Sequence, residues 1–194
     1  MPKKKKEKEE DLWMYILLQT TLLILLESIE SYKFSISEIK ISYIVLLLPL
    51  TIFITNYIIK KYNYKAAIIS IITSGFATLL YIMIISFAIN RPFILTNTIG
   101  EFITYIISQF TNLIIYSFIL DNTKSPHTLV FLNYIFVLII FYMIYTVFYL
   151  NLIMLDNYWE RYFISITIQI IICIPLTIVD KLIKRGSEYD VNPK

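Results

Sequence analysis

Long apolar runs alternate with short polar breaks along the whole chain. Six runs reach the ~20 residues that a helix needs to cross roughly 30 Å of hydrocarbon: approximately Leu12–Ser31, Ile39–Ile59, Ala66–Ile89, Thr98–Leu120, Thr128–Leu150 and Arg161–Leu182. The breaks between them, YKFSISE, KKYNYK, NRPFILTN, DNTKSPH and DNYWE, are too short to hold a soluble domain. Transmembrane strands are only about 9–11 residues long and alternate in polarity; these runs do neither. The pattern therefore predicts an all-α polytopic membrane protein, a bundle of six transmembrane helices spanning residues 12–185. A charged tail over 1–11 precedes it and a short tail over 186–194 follows.

Composition agrees with a chain that lives in lipid. Its 58% hydrophobic content and mean hydropathy of +0.70 exceed the roughly 45–50% apolar content of soluble domains. The first apolar run is long and lacks a small-residue cleavage site, so it is expected to stay as a helix rather than to be removed as a signal peptide.

Charge sets the expected orientation. With the N-terminus inside, the inner segments hold thirteen of the lysines and arginines, among them Lys3 to Lys6, Lys60, Lys61, Lys65 and Arg185, and the outer segments hold four, Lys33, Lys40, Arg91 and Arg161. The positive-inside rule then places both termini in the cytoplasm. A multi-pass protein of the plasma membrane is expected, with Trp13, Trp159 and tyrosines near segment ends as an interfacial belt. The basic head is interleaved with acids, and reads as a topology signal rather than a nucleic-acid surface.

Motifs for catalysis are missing. His127 is the only histidine and has no partner at ligand spacing; Cys173 is the only cysteine, which excludes an intrachain disulfide. No phosphate loop, H-E-x-x-H or nucleophile elbow is present. The chain is thus not expected to be an enzyme, and no catalytic residue, metal ligand or cofactor is assigned. Glu27, Glu101 and Asp180 fall near the ends of their spans, whereas a proton relay needs ionisable groups at depth.

The interior instead carries neutral polar residues. On the fourth span Tyr105, Ser108, Gln109 and Asn112 are separated by three or four residues and share one broad face. Asn56 on the second span and Asn133 on the fifth belong with them. Amides offer both donors and acceptors, so this set can bind an uncharged, heteroatom-rich small molecule such as a purine-like base. The same residue types also join membrane helices to one another, and both readings stand. Pro49 and Pro175 have two readings as well, carbonyls opened to a cavity or simple kinks.

One stretch, PLTIFITNYIIKKYNYKAAIISIITSGFATLL, resembles the second and third helices of the queuosine precursor transporter family, also called the vitamin uptake transporter family. Pro49, Leu50, Thr51, Thr55, Tyr62, Tyr64, Lys65, Ala66 and Ala67 fit its pattern, and in ISQFTNLIIYSFI so do Ser108 and Gln109. Weaker echoes are Thr128, Phe136, Phe141 and Pro175. The chain departs from the family at its acids: Asn56 stands for an aspartate, Lys60 for a glutamate, Asn112 for a second aspartate, and Leu129, Leu132 and Asn133 for a glutamine-aspartate-threonine run.

The resemblance implies a six-helix importer of a small neutral heteroaromatic molecule, with Asn56, Tyr105, Ser108, Gln109, Asn112 and Asn133 lining the site and no proton coupling through the lost acids. Two alternatives accompany it. One is a diverged, non-transporting membrane partner, acting as a homo-oligomer or beside another membrane subunit. The other is the substrate-binding subunit of an energy-coupling-factor importer, although the first span lacks the small residues of that docking surface.

Overall fold

The computed structural model describes residues 3–29, 32–36, 38–89, 93–122, 127–148 and 158–183. Its helices are α1 (Lys3–Ile29), α2 (Ile44–Lys61), α3 (Tyr64–Ile89), α4 (Phe93–Asn122), α5 (His127–Phe148) and α6 (Tyr158–Leu182). A short hairpin, β1 (Lys33–Ile36) and β2 (Ile39–Ser42), lies between α1 and α2. Each of the six helices contains a segment long and apolar enough to cross a membrane.

The bundle is apolar on its outward faces, and inside it polar side chains sit among the residues of a hydrophobic core. Its outward faces expose large hydrophobic side chains, among them Leu17 on α1, Phe76 and Ile84 on α3, Ile114 and Phe118 on α4 and Phe163 and Ile171 on α6. A soluble monomer rarely exposes apolar surface on this scale; a lipid-facing bundle requires it. Gln19, Thr51, Thr55, Asn56, Ser70, Ser74, Gln109, Asn112 and Gln169 are all buried. Trp13 and Trp159 are exposed near the ends of their spans, where amphipathic rings suit the interface.

Packing follows from side-chain size. Helix α4 lies against α3 and α5, α1 against α2 and α3, and α6 against α2 and α5. At the α3–α4 contact, a Cβ added to Gly75 would sit 3.0 Å from Phe102 Cε2 and 3.3 Å from Ile106 Cδ1. A side chain there would press on the Phe102 ring and the Ile106 terminal methyl, which would have to give by a few tenths of an ångström. Pro49 is buried within α2, whereas Pro175 is exposed on the outer face of α6, which sets Pro175 apart from the bundle interior.

Two local features differ from the sequence expectation. The second span was expected to start at Ile39, but Ile39–Ser42 pairs antiparallel with Lys33–Ile36 and the helix begins at Ile44. The stretch alternates in the two-residue period of a strand: Ile41 is buried while Lys40 is exposed. Glu38 turns the hairpin at φ 72°, a left-handed conformation disfavoured for a residue with a Cβ. At the other end of the chain's first helix, residues 3–11, expected as a tail, continue α1. The expected tail over 186–194 lies outside the described residues.

The tight turn between α2 and α3 is made by its sequence. Asn63 Oδ1 accepts the Ala66 N–H at 2.8 Å, capping an otherwise orphaned donor at the start of α3. Burial pushes the neighbouring Tyr62 phenol up to about 12, because an ionised ring there would lose its hydration.

Candidate functional site

Tyr105, Gln109, Asn112 and Tyr116 follow one another on α4 at spacings of four, three and four, which holds them on one face. All four are buried. Through this stripe α4 hydrogen-bonds to each of the other five helices.

At its Tyr105 end the stripe is saturated. Gln19 on α1 donates from Nε2 to the Tyr105 hydroxyl at 2.8 Å and to Thr55 Oγ1 at 3.0 Å. Its Oε1 accepts from Ser70 Oγ of α3. The Tyr105 and Ser74 hydroxyls lie 3.3 Å apart. Gln109 Oε1 accepts from Thr55 Oγ1 at 2.8 Å, and its Nε2 donates to Thr51 Oγ1 at 3.2 Å. Gln19 and Gln109 therefore use both ends of their amides entirely within the protein.

Three asparagines continue the stripe. Asn133 on α5 donates from Nδ2 to Asn112 Oδ1 at 2.7 Å, and Asn112 donates from Nδ2 to Asn56 Oδ1 at 2.9 Å. Every link points the same way. The chain thus ends in an unused donor, Asn56 Nδ2, at one end and an unused acceptor, Asn133 Oδ1, at the other. The Tyr134 hydroxyl lies beside the Asn56 amide without meeting hydrogen-bond geometry. On α6 both amide atoms of Gln169 are also without a partner. Ser86, Ser117 and Arg161 each leave one such atom as well. Each buried, unsatisfied group costs roughly 1–3 kcal/mol.

Beyond the asparagines lies a buried ion pair. Lys60 Nζ on α2 is 3.3 Å from Asp180 Oδ2 on α6 and also donates to the Asp180 backbone carbonyl. Tyr116 donates its hydroxyl proton to Asp180 Oδ1 at 2.7 Å. Both carboxylate oxygens are engaged, and the ammonium sits against the C-terminal, electronegative end of α6. Sequence reasoning counted Lys60 among the flanking lysines, but only 8% of the residue is exposed.

At the opposite end of the stripe, Leu23, Glu27, Gly75, Thr78, Glu101 and Tyr105 border a cavity of about 30 Å³. That is room for about one water molecule, far below the roughly 300 Å³ or more of a small-molecule pocket. Glu27 and Glu101, read separately from the sequence, share this cavity. Among the described residues, no group of three histidine, cysteine or carboxylate side chains is arranged to hold a metal ion.

The six residues expected to line a site divide accordingly. Asn56, Asn112 and Asn133 meet in one chain, Tyr105 and Gln109 belong to the saturated cluster, and Ser108 bonds back to the Tyr105 carbonyl of its own helix at 2.9 Å. Gln19, Thr51, Thr55, Ser70, Tyr116, Lys60 and Asp180 enter the network from outside the expected set. Thr51 and Thr55, four apart on α2, carried a periodic signal; Gln19, which stands beside Thr20 and Thr21 with no amide, serine or threonine three or four positions away, carried none. Comparison of the chain with protein-family models, with curated proteins and with solved structures gives no match.

Proposed function

We propose that the protein is a membrane transporter for a small, neutral, heteroaromatic molecule, of the kind suggested by its resemblance to queuosine precursor importers. The observation that carries this reading is the asparagine chain Asn56–Asn112–Asn133, which joins three helices in the bundle core and ends in an unused donor and an unused acceptor. Such a site is suited to a ligand that is itself donor and acceptor. Movement of the ligand requires the bundle to open around this site toward each side in turn.

The buried carboxylate beside the stripe, Asp180, is neutralised by Lys60, so a proton gradient is expected to drive little uptake. The experiment is retention of labelled guanine, a purine-type base, by purified protein, followed by its uptake into proteoliposomes with and without an imposed proton gradient. Specific retention weakened by Asn112→Leu, and uptake insensitive to the gradient, support the proposal. Absence of specific retention, or several-fold stimulation by the gradient alone, counts against the substrate class or the coupling respectively.

The saturation of Gln19, Tyr105 and Gln109 favours a second reading, a non-transporting membrane partner whose polar residues only hold helices together. Under that reading Asn112→Leu lowers stability and there is no base retention to lose.

A further inference from the structure

The six helices are not held alike. Helices α1 to α5 are joined to one another along the α4 stripe by amide and hydroxyl bonds that run through Gln19, Gln109 and the three asparagines. Among the described residues, the hydrogen bonds that α6 makes to other helices all end on one residue, Asp180, close to its C-terminus. Elsewhere α6 rests on α2, α5 and β2 by side-chain packing, as where the Tyr162 ring meets that of Tyr142 on α5.

The clasp at Asp180 occupies a defined layer of the bundle. Lys60 is four residues beyond Asn56 on α2, and Tyr116 is four beyond Asn112 on α4. The ion pair and its tyrosine therefore lie one helical turn, about 6 Å, past the asparagine chain, on the side where α2, α4 and α6 end. One residue further along, Lys61 and Lys181 are exposed, so the clasp stands between the asparagine chain and the surface at that end. Helix α6 also carries a point at which to bend. Pro175, five residues before Asp180, has no N–H to offer the Ile171 carbonyl, and prolines inside helices are where sharp bends occur.

Charge makes this layer releasable. Two buried ions have given up hydration that their mutual attraction returns only in part, and separation next to water restores it. A layer of apolar side chains has the opposite balance, since opening would expose them to water. We propose that Lys60, Asp180 and Tyr116 form a gate: when the Lys60–Asp180 pair separates, the part of α6 beyond Pro175 swings away from α2 and α4 and admits water, and with it the ligand, to the asparagine chain. This inference rests on the transporter reading for what the opening serves, and adds where the bundle opens and which element moves.

The test uses the purified full-length protein in lipid nanodiscs without ligand. Wild type is compared with Lys60→Met/Asp180→Leu, which replaces the ionic layer by an apolar one and strands no charge. Cys173, the chain's single cysteine, is buried on the same stripe of α6 as Asp180 and seven residues behind it, so its reaction with a small water-soluble methanethiosulfonate reports opening. That reaction should be about ten-fold slower in the double variant, because its opening must wet two apolar side chains. A second measurement leaves the clasp intact: spin labels at Lys61→Cys and Lys181→Cys, both exposed beside the pair, in a Cys173→Ala background. Pulsed electron resonance should give two separations between them, one that of the closed bundle and one clearly longer.

Cys173 reacting in the double variant as fast as in wild type, or faster, would overturn the inference. So would a single label separation with the clasp intact. Failure of the transporter reading is distinguishable: a gate that opens by both measurements, in a protein that carries no guanine into proteoliposomes, leaves the device and removes transport. Equal guanine uptake by wild type and by the double variant leaves transport and removes the gate.

Discussion

The saturated end of the α4 stripe and its α5–α6 side use the same polar residue types at the same depth of burial and leave them in opposite states. Around Gln19 and Gln109, amides are surrounded by hydroxyls from Thr51, Thr55, Ser70 and Tyr105, and each hydroxyl can rotate to donate or accept as its neighbour requires. Around Asn56 and Asn133, the amides bond to one another with donors and acceptors fixed at opposite ends, and Asn56 Nδ2 and Asn133 Oδ1 are left without a hydrogen bond although the Tyr134 hydroxyl lies beside Asn56. The first arrangement is that of helix-joining contacts; the second has capacity left for something else. Polar residues in a membrane bundle are therefore informative about function only once their partners are known.

The largest effect is expected where charge is involved. Asp180→Leu strands the Lys60 ammonium in the interior, and breaking a buried pair from one side typically costs about 3–5 kcal/mol. Unfolding in mixed micelles should show that loss, and the double variant Lys60→Met/Asp180→Leu should recover most of it. If the single variant were as stable as wild type, this ion pair would not be what holds α2 and α6 together at that end.

Gln19→Leu should come next. It leaves Ser70 Oγ and the Tyr105 hydroxyl short of a partner at once, at about 1–3 kcal/mol, and the same unfolding measurement reads it. Gln109→Leu should cost less, near the roughly 0.6–1.7 kcal/mol of membrane hydrogen bonds. Its two partners have fallbacks: Thr51 Oγ1 already donates to the Leu48 carbonyl at 2.8 Å and Thr55 Oγ1 lies 3.1 Å from the Thr51 carbonyl. Were Gln109→Leu the more damaging of the two, the saturated cluster would be organised by α4 rather than by α1.

Much of the fold was legible because length is a coarse and reliable signal: a run of ~20 apolar residues has few alternatives to a spanning helix. The hairpin was missed although Phe34, Ile36, Ile39 and Ile41 declare a period of two on either side of a polar turn; four-residue strands between two long helices were absorbed into a connector and a span. The α4 face was legible from its three- and four-residue spacing. What that face does was not, because the hydrogen-bond partners of Gln109 and Asn112 lie on other helices, more than fifty residues away on α2 and, for Asn112, also on α5. Lys60 and Asp180 were hidden for another reason: a lysine at a span end is read as flanking charge, and only the packing of α2 on α6 buries it.

The most direct test of the contrast between these regions is the stability of Gln19→Leu and Gln169→Leu, unfolded side by side in the same micelles without added ligand. The two substitutions are chemically identical, and both remove a fully buried amide. Destabilisation by Gln19→Leu, together with an unchanged or higher stability for Gln169→Leu, is the predicted result. A comparable loss in both would contradict the account, since it would mean that the Gln169 amide is bonded within the protein as firmly as that of Gln19.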